Sequence, residues 1–138
     1  MAIRYLDLVD FLLVAEEVLG IEADILQKMA NLPLAESALN APAAEFGGVE
    51  FYPDFVEKVA VLCARLIKNH SLPDGNKRVG YMCAVEFAER NGYLWKPPPG
   101  DPEGSETVET MKGVASGSVD EEMLARWMRD HLEKADAT

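Results

Sequence analysis

Positive charge is scarce in this sequence. Lysine and arginine number 13 against 24 aspartates and glutamates, a net charge of −11 at pH 7 over 138 residues. Duplex nucleic acid is bound largely by neutralising phosphates with basic side chains, so this balance argues against a nucleic-acid partner. Long apolar runs are also missing. None approaches the ~20 residues a membrane helix needs, and MAIRYLDLVD carries acids where a secretion signal carries bases. The expectation is a cytoplasmic, soluble chain with no membrane partner. Cysteine is limited to Cys63 and Cys83, both in apolar stretches without CxxC or Cys/His spacing. That pattern describes two buried thiols and offers no zinc-type cluster.

Apolar residues make up 49% of the chain, enough for one domain over residues 1–138 with its own core. The pattern is mostly helical. Asp7 is placed to cap a helix running to about Leu19, with Gly20 as its stop. A shorter helix is expected from about Glu22 to Ala30. Pro33 then interrupts, and LAESALNAP has room for one or two turns before Pro42. In AEFGGVEFYP, Gly47-Gly48 between apolar residues is a hairpin signal, with an irregular loop as the alternative; β structure is expected nowhere else.

Pro53 suits the opening of the next helix. Phe55, Val59, Leu62 and Leu66 mark one face of it, and Val56, Ala60, Cys63 and Ile67 widen that face. The helix is expected to end near Asn69 and His70. A second helix from about Gly75, apolar on every side over Val79–Val85, is expected to be the most buried in the domain. Gly92 stops it. WKPPPGDPEG is a surface connection. Ser118 and Glu121 read as a capping box for a last helix striped by Leu124, Trp127, Met128 and Leu132, and the KADAT tail is expected to fray.

Between the two central helices lies HSLPDGNKR, His70 to Arg78. The first N–H groups of a helix lack internal partners and carry partial positive charge, which makes an anion site. Gly75 allows close backbone approach, Asn76 can donate from its amide, and Lys77 and Arg78 add full charge, Arg with bidentate reach. Asp74 would repel a bare phosphate but suits one with Mg²⁺ between them. Histidine titrates near neutral pH, so His70 is the candidate base. Singly, Asp74 reads as an N-cap, His70 as a helix-end cation, and Lys77 and Arg78 as solvated surface. Together within nine residues they describe nucleotide transfer to a hydroxyl.

The segment resembles the signature of the Fic/Doc family, His-x-Phe-x-Asp/Glu-Gly/Ala-Asn-Gly/Lys-Arg, in its Doc-type version with Lys. ESALNAP, VEFAERNGY and TMKGVASGSVDEEMLARWM resemble Doc-type segments too, so the likeness spans roughly residues 34 to 132. The resemblance implies an all-α fold: a small helical bundle around the buried motif helix, with a short β-hairpin flap over 41–51 as an option. It implies His70 as general base, Asp74 as the Mg²⁺ ligand, and Gly75, Asn76, Lys77 and Arg78 as phosphate binders. Family members that transfer AMP carry Gly where Lys77 stands and a second Arg where Tyr81 stands. The Doc-type pattern implies instead that ATP is held reversed and gives up its γ-phosphoryl group to a Ser/Thr hydroxyl, the family target being elongation factor Tu. AMP transfer, and an inactive module holding nucleotide or antitoxin, are the alternatives. The family's internal inhibitory motif, Ser/Thr-x-x-x-Glu-Gly/Asn, is not found, which implies control by a separate antitoxin protein. Leu72 replaces the motif's Phe and is expected to pack the loop with less area.

Overall fold

The computed structural model describes residues 2–101 and 104–135. Residues 102 and 103 of the proline-rich connection, and the last three residues of the tail expected to fray, lie outside the described part. Seven α-helices surround one apolar core among the described residues: α1 Leu8–Leu19, α2 Ala23–Met29, α3 Leu32–Asn40, α4 Phe55–Asn69, α5 Asn76–Arg90, α6 Ser105–Ser116 and α7 Glu121–Arg129. Two small antiparallel sheets accompany them. One is the hairpin β1 Glu45–Phe46 and β2 Val49–Glu50; the other pairs β3 Tyr93–Trp95 with β4 Leu132–Lys134. None of the described helices is long and apolar enough to cross a membrane.

Local chemistry explains most boundaries. Asp7 and Asp10 form a reciprocal capping box, each side chain accepting from the other's backbone N–H at 2.9 Å, and Gly20 ends α1 with φ 69°. Gly47 and Gly48 both take positive φ, 61° and 80°, as a two-residue hairpin turn requires. Pro33 does not interrupt a helix. It sits in the first turn of α3, where the missing N–H is no loss, behind Asn31, whose side chain accepts from Leu34 N–H.

Four further boundaries differ from expectation. Pro53 lies outside α4, and Asp54 caps it by accepting from Val56 N–H at 3.1 Å. Ser118 does not cap α7: its hydroxyl donates to the Gly113 carbonyl, and Asp120 accepts from Met123 N–H instead. Leu132, expected in the last helical stripe, belongs to β4. That strand pairs with β3 just beyond Gly92, where no β structure was expected. Both strands are short and partly exposed, so no alternating pattern announces them.

The core centres on α4, not α5. Ten of the fifteen residues of α4 are buried, against six of fifteen in α5. Tyr81 and Val85 are half-buried and Met82 is exposed, so the apolar run in α5 serves two purposes: core on one side, surface lining on the other. The two helices pack tightly at Gly80. A Cβ there would stand 2.8 Å from Ile67 Cγ1 and 3.3 Å from the Cys63 carbonyl oxygen. Burial pushes the Cys63 thiol up to about 12 and raises Cys83 as well, so both are inert packing groups.

Candidate functional site

The loop between α4 and α5 is held at several points. His70 ends α4 in the left-handed conformation, φ 49°, the one described non-glycine residue with positive φ. This turns the chain sharply out of the helix. Asn31 N–H donates to the Ser71 carbonyl at 2.7 Å, and the Asn69 amide donates to the Leu34 carbonyl at 3.2 Å. Leu72 points into the core at 3% exposure, so the smaller side chain still anchors the loop.

Asn76 and Gly75 have local duties beyond those read from the sequence. The Asn76 carbonyl oxygen accepts from Leu72 N–H at 3.1 Å, and its amide donates to the Leu72 carbonyl at 2.8 Å. The side chain thus clamps the loop to the first turn of α5, with one amide hydrogen left over. Gly75 is the N-terminal cap residue, with φ 82°. A Cβ at Gly75 would meet Leu19 Cδ2 at 2.4 Å, so the space beside it belongs to the end of α1.

The charged groups of the segment behave differently. Asp74 does not cap α5; no side chain caps that helix. Among the described residues, His70, Asp74, Lys77 and Arg78 have no side-chain hydrogen bond or salt bridge, and all four are exposed. Elsewhere the cations Lys58, Arg65, Arg90 and Arg129 pair with carboxylates at 2.5–3.0 Å. Lys77 and Arg78 thus stand side by side with their charges uncommitted, next to the equally uncommitted Asp74.

All six candidate residues, His70, Asp74, Gly75, Asn76, Lys77 and Arg78, line one cleft of about 230 Å³, with Ile67 and Ala115 at its apolar wall. The α5 N–H groups not used inside the helix open here, giving donors for phosphate oxygens beside two full positive charges. One carboxylate in such a cleft fits Mg²⁺, which binds one or two protein carboxylates together with phosphate oxygens and water. Among the described residues no group of three or more His, Cys, Asp or Glu is placed to hold a metal by itself.

A second cavity of about 440 Å³ shares Lys77 and Arg78 with the first. Its walls are Tyr81, Trp95, Pro97, Pro98, Val108 and Met111. Tyr81 meets Trp95 edge-on at 5.7 Å, and Trp127 braces Trp95 from behind at 5.3 Å. Burial raises the Tyr81 phenol above its ordinary range, with the buried Cys63 adding to it. The sequence reading missed this pocket. Its signal was Trp95 followed at once by three prolines, rigid apolar surface in a segment read only as a connection.

The model of the Fic/DOC family matches residues 5–88. The match reaches further towards the N-terminus than the segments singled out in the sequence and stops within α5. A curated relative, the toxin Doc of Mycolicibacterium smegmatis (strain ATCC 700084 / mc(2)155), is 36% identical over 89 residues. The aligned stretch covers 64% of this chain and 65% of the relative, just under two thirds of the relative's length.

Proposed function

Since the chain belongs to the Fic/DOC family, we propose that it is a Doc-like toxin that transfers the γ-phosphoryl group of ATP to a Ser/Thr hydroxyl of a protein, of the elongation factor Tu class. The observation that carries this reading is the pair of cavities that share Lys77 and Arg78. The smaller has the donors for phosphates. The larger has flat aromatic and proline surfaces suited to a base, which stacks well on such walls. The 36% identical relative, a toxin Doc, supports the toxin assignment.

The chemistry follows from the chain's own residues. His70 accepts the proton of the target hydroxyl at an imidazole nitrogen. The hydroxyl oxygen attacks the γ-phosphorus, the bond from that phosphorus to the β,γ-bridging oxygen breaks, and ADP leaves. Lys77, Arg78 and the first N–H groups of α5 hold the phosphates in line, and Asn76 keeps the loop and helix in register. Mg²⁺, held by Asp74 and phosphate oxygens, would offset charge on the transferring group. Lys77 and Tyr81 stand where AMP-transferring members carry Gly and a second Arg, which favours phosphoryl over AMP transfer. A separate antitoxin protein, laying a helix or extended segment near the flap, supplies control.

The test uses two labelled ATP samples with elongation factor Tu as acceptor. Label from the γ-phosphate is expected on the acceptor, and label from the α-phosphate is not. The reverse pattern would assign AMP transfer, and no label on the acceptor, with ATP still bound, would assign a binding module. Co-expression with a neighbouring small gene product is expected to abolish toxicity.

A further inference from the structure

The β1–β2 hairpin is exposed at every residue from Glu45 to Glu50. Phe46 and Val49 on it, and Phe51 just after it, all face solvent. Two strands of two residues each do not hold one pose by their own ladder. Among the described residues a single side-chain hydrogen bond ties this hairpin to the body: Lys58 Nζ donates to Glu50 Oε1 at 2.8 Å. Lys58 also donates to the Pro42 carbonyl at 3.0 Å, and its ammonium stands 5.7 Å from the centre of the Tyr5 ring.

Lys58 is only 2% exposed, in a helix whose other buried residues are apolar. Burial disfavours its charge, but the bond to Glu50, helped by the nearby Tyr5, outweighs that and raises its pKa, so the ammonium stays charged. Leu or Met would fill the same place without withdrawing a charge from water. The charge is explained by what it holds: one ammonium joins α4, the turn after α3, the N-terminal arm and β2. Beyond the hairpin, Phe51 and Tyr52 line a cleft of about 540 Å³ with Asn40 and Arg65. Arg65 lies five residues before His70, about 7.5 Å along the axis of α4 and about 140° round it.

We propose that Lys58, acting through Glu50, fixes the pose of the hairpin and thereby positions the acceptor segment of the protein substrate beside His70. Lys58 is a positioning residue here, touching neither substrate nor nucleotide, and the role rests on the transferase reading above. The experiment compares the full chain with its Glu50→Ala and Glu50→Gln variants. Amide hydrogen exchange over residues 45–50 is expected to quicken about tenfold or more in Glu50→Ala, with the helices unchanged. With elongation factor Tu as acceptor, KM is expected to rise about tenfold while kcat stays within about twofold. Glu50→Gln still accepts from the ammonium and is expected to restore most of both. Unchanged exchange in Glu50→Ala would refute the pin. A loosened hairpin with KM unmoved would refute the positioning role. A wild-type chain that transfers nothing would overturn the transferase reading and the positioning role with it, while exchange still decides the pin.

Discussion

Gly75→Ala separates two reasons for a glycine in the cleft between α4 and α5. If the residue serves only to let phosphate approach, the variant folds normally and loses ATP. The structure argues for a stability cost first. At φ 82° an L side chain is strained, by ~1–2 kcal/mol. The new Cβ would also lie 2.4 Å from Leu19 Cδ2. That atom is the end of a half-buried, movable side chain, so shifting it costs about 1 kcal/mol, at the low end for overpacking. The sum is about 2–3 kcal/mol, which corresponds to a fall in Tm on the order of 5–10 °C for a domain of this size. Thermal and urea unfolding without nucleotide measure it. Repeating the substitution in a Leu19→Ala background removes the clash and leaves the strain, so the cost there should drop to about 1–2 kcal/mol. A loss under about 0.5 kcal/mol in the wild-type background would refute the reasoning, as would an identical loss in both.

Three further outcomes are expected. His70→Asn keeps a residue that tolerates the left-handed conformation, so it should fold as the wild type does and lose ~10²–10⁴-fold in transfer rate, read by steady-state kinetics. Lys77→Ala and Arg78→Ala remove unpartnered, exposed charges, so Tm should hold while the Kd for Mg-ATP rises about tenfold or more for each, measured calorimetrically. Asp54 is held below the ordinary carboxylate range, first by its hydrogen bond from Arg129 at 2.5 Å. Its stabilising share is therefore complete above about pH 3.9 and vanishes as pH falls through the lowered folded-state value. Asp54→Asn keeps the cap on α4 and loses the charge, so its urea midpoint should trail the wild type at pH 7 and converge with it in strong acid. The gap should be small, because the Asp54 side chain is 37% exposed and screened by solvent.

Features that depend on near neighbours were legible in the sequence. The Asp7 cap, the Gly20 stop, the Gly47-Gly48 turn and the broad apolar face of α4 each follow from residues a few positions apart. The gathering of His70, Asp74, Gly75, Asn76, Lys77 and Arg78 was legible for the same reason: nine residues of chain cannot separate far. What depended on distant partners was hidden. Ser118 fits a cap by spacing, yet the Gly113 carbonyl recruits its hydroxyl. Leu132 fits a helical stripe, yet its backbone finds Trp95. Lys58 is buried only because the distant Glu50 and Pro42 close over it. The roles of Leu19 beside Gly75 and of Trp95 beside Lys77 likewise need the folded chain to bring them there.

The pairing of β3 with β4 also bears on how the protein is assembled. The two strands bracket α6 and α7, so this part of the chain is an excursion that leaves the body after Trp95 and is fastened again at Leu132. The contacts among α1, α3, α4 and α5 hold the His70–Arg78 segment, and the excursion adds only Ala115 to the wall of that cleft. Its wall of Val108 and Met111 over the aromatic end is added only when the excursion docks. Closing so long a loop adds only slowly to the entropic cost as its length grows, but it delays the contacts that reward closure. Folding is thus expected in two stages, with the charged cleft at His70–Arg78 formed before the aromatic pocket closes. A chain caught between them would carry the charged cleft without its aromatic neighbour.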